Sequence, residues 1–202
     1  MSDPKIIIIG GFLGSGKTTA LLSFAACLVR KSRPETENKV VIVENEIGDV
    51  GIDDKVLRSG GFSVSNLFSG CACCTVSGEL TSTIRQLVTE LEPEWVVIET
   101  TGIAYPSNMR ENLLSALGIR AHIIILADAT RWARFNSSPQ LAEIIKGQVE
   151  GADAAIVNKI DMAADGARKK CVSDLRGWEP DIKIAEISAK NGVDDAVWES
   201  IL

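Results

Sequence analysis

Residues Lys5 to Thr19 read Lys-Ile-Ile-Ile-Ile-Gly-Gly-Phe-Leu-Gly-Ser-Gly-Lys-Thr-Thr. The four consecutive isoleucines predict a strand that is buried on both faces. The segment Gly11 to Thr18 fits the pattern G-x-x-x-x-G-K-[ST], whose glycines let backbone N–H groups curl around phosphate oxygens. A helix is predicted to begin at Lys17, and its N-terminus adds a partial positive charge. Strand, glycine-rich turn and helix together form the context that a phosphate-binding loop requires.

The same alternation of strand and helix continues along the chain. Continuous apolar runs predict strands at Lys5–Ile9, Lys39–Val43, Trp95–Ile98, His122–Leu126, Ala154–Val157 and Ile182–Ile187. Helical character lies between them, at Lys17–Arg30, Gly78–Leu91, Ser107–Leu117, Pro139–Val149, Met162–Arg176 and Val193–Leu202. This pattern predicts an α/β, P-loop NTPase fold in one domain over residues 1–202, with a mostly parallel central sheet and helices on both faces. Ligands of such sheets bind beyond the carboxyl ends of the strands.

The composition excludes several classes of protein. The 202 residues carry a net charge of -6, with a pI of about 4.9, and Lys169-Lys170 is the densest basic stretch, which argues against a nucleic-acid partner. The longest apolar runs fall far short of the roughly 20 residues that a membrane span needs. The start, Met-Ser-Asp-Pro-Lys, lacks the features of a signal peptide, so a cytoplasmic protein with no membrane partner is predicted.

The phosphate loop assigns chemistry to individual residues. Lys17 is expected to reach the β- and γ-phosphates of a nucleotide, and the Thr18 hydroxyl to ligate Mg²⁺. The rest of the predicted phosphate cradle is Gly11, Gly14, Ser15, Gly16 and Thr19.

A second motif predicts which base the nucleotide carries. Asn158-Lys-Ile-Asp161 follows the strand Ala154–Val157 and fits the pattern N-K-x-D. The Asp161 carboxylate can accept hydrogen bonds from guanine N1–H and the exocyclic amine, a pair of donors that adenine lacks. Lys159 can pack its methylene stem over the purine. Ser188-Ala189-Lys190 follows the last strand and resembles a second guanine loop, so GTP and GDP are the predicted ligands.

Two acidic segments end predicted strands. In Glu99-Thr-Thr-Gly102 the carboxylate is placed to bind Mg²⁺, and Gly102 to donate its N–H to the γ-phosphate. Glu44-Asn-Glu-Ile-Gly-Asp49 follows the second strand. Its carboxylates Glu46 and Asp49 are candidates for orienting the attacking water, holding Mg²⁺ or completing a metal site, and the sequence leaves these roles open.

Cysteine usage points to a metal. Cys71-Ala-Cys73-Cys74 places three thiols within four residues, while the whole chain has five cysteines and one histidine. Three thiolates suit Zn²⁺, with a fourth position for a carboxylate or water, and they also suit Co²⁺, Ni²⁺ or Cu⁺. The alternatives are buried structural cysteines or a redox dithiol. Cys27 and Cys171 fall on predicted helices and resemble core residues. His122, at the start of a predicted strand, resembles a packing residue rather than a metal ligand.

In this order, the phosphate loop, Glu44-Asn-Glu-Ile-Gly48, Cys71-Ala-Cys-Cys74, Glu99-Thr-Thr-Gly102 and Asn158-Lys-Ile-Asp161 resemble the CobW/HypB/UreG family of GTPases, and within it the CobW-type branch. The resemblance covers about Lys5 to Lys190, and Gly70-Cys-Ala-Cys-Cys74 is its most specific element. It implies a metal-binding GTPase that inserts, or supports insertion of, a metal ion into a client metalloprotein or cofactor, with Zn²⁺ as the first candidate and Co²⁺ or Ni²⁺ as alternatives.

The resemblance also implies roles for individual residues. It makes Cys71, Cys73 and Cys74 metal ligands, with Glu46 a switch carboxylate near the metal. It assigns phosphate and Mg²⁺ to Lys17, Thr18 and Glu99, and guanine to Asn158 and Asp161. CobW-type proteins usually continue into a C-terminal domain that is often rich in histidine, and this chain is expected to lack that domain.

Because the cysteine motif lies between the two acidic segments, metal affinity is expected to depend on the bound nucleotide. No arginine finger or catalytic glutamine follows the two acidic segments, so intrinsic hydrolysis is expected to be slow. A client or a nucleotide-dependent homodimer is expected to accelerate it. Three other functions remain open: a GTPase gate or chaperone for assembly of a cofactor-dependent enzyme such as a corrinoid protein, a metal- or redox-sensing module with negligible turnover, and a phosphate-loop kinase.

Overall fold

A seven-stranded sheet forms the centre of the molecule. The computed structural model describes residues 3–32, 39–44, 62–66 and 77–202. Its strands are β1 (Lys5–Gly10), β2 (Val40–Glu44), β3 (Phe62–Asn66), β4 (Trp95–Glu99), β5 (His122–Asp128), β6 (Ala154–Asn158) and β7 (Lys183–Glu186). They lie in the order β3-β2-β4-β1-β5-β6-β7. Every pairing among the described strands is parallel, which confirms the predicted α/β fold class.

Helices cover both faces of the sheet, as predicted. Those of the described residues are α1 (Lys17–Lys31), α2 (Ser77–Leu91), α3 (Pro106–Leu117), α4 (Trp132–Asn136), α5 (Pro139–Val149), α6 (Asp165–Trp178) and α7 (Asp195–Ile201), with a short 3-10 helix at Ala189–Asn191. α1 and α7 pack on one face, and α2 to α6 contribute to the core on the other. None of the described helices has the length and apolar character that crossing a bilayer would need.

The isoleucines of β1 show why this strand lies at the centre. Ile6 and Ile8 join the core beneath α2 to α6, while Ile7 and Ile9 join the core beneath α1 and α7. All four are at most 2% exposed. Since successive side chains of a strand point to opposite faces, a continuous apolar run fits only a strand covered on both sides.

Three elements differ from the sequence-based expectations. β3 has the sequence Phe-Ser-Val-Ser-Asn, which alternates with serine and was therefore not predicted from continuous apolar runs. α4 has only five residues, too few for a recognisable helical period. α6 begins at Asp165 rather than Met162, after a turn at the end of β6. Pro139 lies in the first turn of α5, and the Ser138 side chain at its N-cap makes no capping hydrogen bond.

The carboxyl ends of the strands meet along one edge of the sheet. Ile9 pairs with Glu99, Glu44 also pairs with Glu99, and Asp128 pairs with Asn158. The residues that follow β1, β4, β5 and β6 therefore converge at this edge, where parallel sheets bind their ligands.

Candidate nucleotide-binding site

The phosphate loop connects β1 directly to α1. Gly11 and Gly16 have φ angles of 132° and 95°, which favour glycine. A Cβ at Gly11 would lie 2.4 Å from the Leu126 carbonyl oxygen, and one at Gly16 would lie 2.5 Å from Asn158 Nδ2. Gly16 also occupies the N-cap of α1, where no side chain caps the helix. The loop is therefore held close to two strands while the N-terminus of α1 remains open to an anion.

The two predicted Mg²⁺ ligands, Thr18 of the loop and Glu99 at the end of β4, lie together beside Lys17, which is predicted to reach the phosphates. The Thr18 hydroxyl lies 3.1 Å and 3.4 Å from the two carboxylate oxygens of Glu99. Lys17 and Glu99 are 5% and 3% exposed, respectively. A hydroxyl and a carboxylate at this spacing match the oxygen ligands that Mg²⁺ takes, so the residues present fit the ion.

The turn after β4 lies against the phosphate loop. A Cβ at Gly102 would lie 2.8 Å from the backbone nitrogen of Leu13. Gln148 of α5 is 1% exposed, and its Nε2 donates to the carbonyl oxygens of Gly102 and Ala104 at 3.0 Å and 3.2 Å. Sequence reasoning did not identify Gln148, because a lone glutamine on a helix carries no motif. It fixes the turn that carries Gly102.

Asn158 connects three loops of the site. Its Nδ2 donates to the Ser15 carbonyl oxygen at 2.8 Å, and its Oδ1 accepts from the backbone N–H of Ala189 at 3.0 Å and of Lys159 at 2.8 Å. The side chain is 2% exposed. The phosphate loop, the N-K-x-D turn and the Ser188-Ala-Lys190 loop are therefore joined through one buried amide.

The residues predicted to read guanine border an accessible region of this site. Asp161 and Lys190 are exposed, and Ala189 begins the 3-10 helix. The Ser188 hydroxyl oxygen is buried and has no hydrogen-bond partner among the described residues. Buried hydroxyls are normally hydrogen-bonded, so this oxygen is an unsatisfied group beside the predicted base site. The polar groups present fit a nucleotide.

Ser15 stabilises the phosphate loop through hydrogen bonds of its backbone groups. Its N–H donates to the Phe12 carbonyl oxygen at 3.1 Å, and its own carbonyl accepts from Asn158. Its backbone groups are therefore engaged inside the loop, and the exposed Gly14 and Thr19 lie nearer the surface.

The predicted metal ligands fall outside the described residues, namely Glu46, Asp49, Cys71, Cys73 and Cys74. The strands that precede these residues in the chain are described. β2 ends at Glu44, two residues before Glu46, and β3 ends at Asn66, five residues before Cys71. Both strands end at the same edge of the sheet as Glu99, since Glu44 pairs with Glu99 and with Asn66. Within the described part of the chain, no group of three or more metal-binding side chains occurs.

The two described cysteines lie buried within helices, and the histidine lies at the start of a strand. Cys27 and Cys171 are buried in α1 and α6. Burial raises the pKa of the Cys27 thiol to about 11 and also raises the pKa of Cys171. His122 begins β5, at the opposite end of the sheet, where its Nε2 lies 2.8 Å from the Ile201 carbonyl oxygen. These residues are packing groups, as the sequence indicates.

The family model for the CobW/HypB/UreG nucleotide-binding domain matches residues 5–186 of the chain. The chain belongs to the CobW/HypB/UreG family. Among curated CobW-type relatives, the zinc chaperone CobW of Sinorhizobium sp is 28% identical over 92% of the chain and 58% of that protein. The zinc chaperone YjiA of Escherichia coli K12 is 28% identical over 83% of the chain and 53% of that protein. The chain therefore spans about half the length of the curated relatives it matches.

Solved structures share the fold of this CobW/HypB/UreG domain. Zn(II)-bound YjiA GTPase from E. coli superposes with a TM-score of 0.68 at 21% identity, covering 100% of the chain and 62% of that structure. HypB from Helicobacter pylori in complex with nickel gives a TM-score of 0.61 at 22% identity, covering 97% and 82%. The family and the fold agree with the sequence motifs, including the phosphate loop.

Proposed function

We propose that this domain binds and hydrolyses GTP, carries a transition metal on Cys71, Cys73 and Cys74, and couples GTP turnover to metal delivery. Asn158 provides the strongest structural support for the nucleotide part. Its buried amide joins the phosphate loop to both guanine loops, at Ser15 and Ala189. A phosphate-loop kinase is disfavoured, because its chemistry gives no role to the N-K-x-D motif together with Cys71-Ala-Cys-Cys74.

The described residues divide the binding of GTP between them. The open N-terminus of α1 and the Lys17 ammonium take the phosphates, and the Asp161 carboxylate takes the guanine donors. Mg²⁺, held by Thr18 and Glu99, would neutralise charge that develops between the β- and γ-phosphates. Glu46 and Asp49 remain candidates for orienting the attacking water. We expect hydrolysis without a partner to be slow, because the sequence shows no arginine finger or catalytic glutamine after the two acidic segments.

The metal is cargo in this proposal, with Zn²⁺ first and Co²⁺ or Ni²⁺ as alternatives. Three thiolates suit each of these ions. The names of the relatives support the choice, since CobW and YjiA are zinc chaperones. The recipient is a client metalloprotein or a cofactor-assembly enzyme, and a nucleotide-dependent homodimer is the form in which two nucleotide faces would meet.

Replacing Asp161 tests the guanine assignment most sharply. In Asp161→Asn an amide donor replaces a carboxylate acceptor, so the guanine amine loses its partner while the C2 carbonyl of xanthine gains one. The wild-type protein should bind GTP far more tightly than ATP or XTP, and Asp161→Asn should lose about 100-fold in GTP affinity while gaining affinity for XTP. Isothermal titration calorimetry with Mg²⁺ present measures the affinities of both proteins for GTP, ATP and XTP.

The control is Asp165→Asn, an exposed aspartate at the start of α6. It should keep the wild-type preference for GTP. An Asp161→Asn protein that still prefers GTP to XTP would contradict the guanine assignment.

A further inference from the structure

One buried carboxylate beside the phosphate loop holds two cations. Asp128 ends β5, and its side chain is 0% exposed. Its Oδ2 accepts from Arg131 Nε at 2.9 Å and from Lys159 Nζ at 2.7 Å. Its Oδ1 accepts from the backbone N–H and the hydroxyl of Thr130 at 2.9 Å and 2.5 Å. The carboxylate is therefore fully engaged and orients both cations.

Each cation also reaches the phosphate loop. Arg131 Nη2 donates to the Leu13 carbonyl oxygen at 2.6 Å, and Lys159 Nζ donates to the Gly14 carbonyl oxygen at 2.7 Å. The Arg131 guanidinium additionally lies over the Phe135 ring, 4.8 Å from its centroid. Two consecutive carbonyl oxygens of the loop, those of Leu13 and Gly14, thus accept hydrogen bonds from two cations that both bind Asp128.

These hydrogen bonds to the loop carbonyls also fix the direction in which the N–H groups of the loop point. In a trans peptide the C=O and the following N–H point in opposite directions, and no cis bond occurs among the described residues. A guanidinium on the Leu13 carbonyl therefore turns the Gly14 N–H away from Arg131, so that this N–H is available to a phosphate in the proposed site. A cation on the carbonyl also polarises the peptide and strengthens its N–H as a donor.

We propose that Asp128 and Arg131 are positioning residues that, with Lys159, preset the phosphate loop for the nucleotide and tie it to the base-reading turn. This inference rests on the proposed function, because it assigns a role in binding the same nucleotide. The N-K-x-D motif accounts for Lys159, but neither Asp128 nor Arg131 belongs to any motif in the chain. We refer to these three residues as the loop clamp.

The geometry distinguishes this role from that of an arginine finger. Arg131 donates through Nε to Asp128 and through Nη2 to a carbonyl oxygen of the loop, so the hydrogen bonds of its side chain hold the loop rather than reach toward a phosphate. Such a residue acts on the ground state and the transition state alike. Its loss therefore weakens nucleotide binding and leaves the chemical step nearly unchanged.

The test compares Arg131→Ala and Arg131→Lys with Arg134→Ala, since Arg134 is an exposed arginine in helix α4, which begins directly after Arg131. Release of fluorescent GDP and of a fluorescent non-hydrolysable GTP analogue is followed by stopped flow, with steady-state hydrolysis measured in parallel. Arg131→Ala should raise both release rates and KM about tenfold, which is about 1.4 kcal/mol, with kcat within about twofold of the wild type.

Arg131→Lys should recover part of the loss, because one ammonium can reach either Asp128 or the loop. Arg134→Ala should match the wild type. If the alanine protein does not fold by circular dichroism, the lysine protein carries the test through its release rates.

Three results would overturn the clamp. If Arg131→Ala had unchanged release rates and a lower melting temperature, Arg131 would only stabilise the fold. A lower kcat at unchanged affinity would make it a group that acts in the transition state. A wild-type protein that binds neither nucleotide would instead overturn the proposed function, and the clamp with it.

Discussion

At the scale of single residues, buried polar groups connect the motifs of this domain. Asn158 joins three loops with its two amide atoms, and Asp128 anchors two cations with its two oxygens. Both end strands at the carboxyl edge, and both are 2% exposed. Since an unpaired buried polar group is costly, each of these side chains holds its neighbours in one arrangement.

The charge of Asp128 should make stability depend on pH. Burial alone would raise the pKa of Asp128, but hydrogen bonds from Lys159, Thr130 and Arg131 outweigh it and hold the pKa below its ordinary value. The carboxylate therefore stabilises the folded protein fully above the unfolded-state pKa of about 3.9, and this contribution is lost as pH falls through the lower folded pKa. Asp128→Asn should reduce the free energy of unfolding by about 1–3 kcal/mol at pH 7.

Urea unfolding from pH 7 down to pH 3 measures this contribution. The gap between the wild type and Asp128→Asn should narrow as the wild-type carboxylate becomes protonated. Asp181→Asn, at an exposed turn position, is the control and should show no such gap. A gap that stays constant across the whole range would show that the charge of Asp128 contributes nothing.

At the scale of elements, the turn after β4 is held from both sides. The phosphate loop approaches Gly102 from one side, and α5 holds its carbonyl through Gln148 from the other. A turn that moves with the γ-phosphate transmits hydrolysis in GTPases. Helix α5 is therefore linked to that turn by side-chain hydrogen bonds from Gln148.

Replacing Gln148 should loosen this turn. Gln148→Leu keeps the approximate volume but leaves the Gly102 and Ala104 carbonyls without their donor, which should cost about 1–3 kcal/mol of stability. Hydrogen exchange of the backbone around residues 100–105 should become faster, while exchange in β1 stays slow. Gln140→Leu, at an exposed position of the same helix, should change neither quantity. Unchanged exchange around the turn in Gln148→Leu would mean that the glutamine does not restrain it.

Elements with strong local patterns could be predicted, and those defined by distant contacts could not. The isoleucines of β1 and the glycines of the phosphate loop specify their own structure, so the fold class followed from them. β3 alternates with serine, so it did not match the continuous pattern of the other strands. Arg131 reaches Leu13 across 118 positions and Gln148 reaches Gly102 across 46, and such contacts leave no periodic signal in the sequence.

At the scale of the whole molecule, the carboxyl edge brings the nucleotide site and the start of the cysteine segment to one side of the sheet. Glu99, which faces Thr18, pairs in register with Glu44, and Glu44 pairs with Asn66 at the end of β3. Cys71 follows Asn66 by five positions. A nucleotide that moves the ends of β2 and β4 would therefore act on the segment that carries the three thiols.

Cobalt titration tests this coupling most directly. Co²⁺ is added to the reduced protein with Mg²⁺ present, and the thiolate-to-cobalt charge-transfer band is followed with a non-hydrolysable GTP analogue and with GDP. Cys27 and Cys171 should not contribute, because burial raises the pKa of both thiols. Cys73→Ala, which removes the central candidate ligand, should abolish or weaken the band.

We predict a band whose Co²⁺ affinity differs between the two nucleotides by about 5- to 150-fold, the usual range of coupling between sites. Equal affinities would contradict the coupling and leave a structural metal site. The absence of a band would contradict the metal site itself.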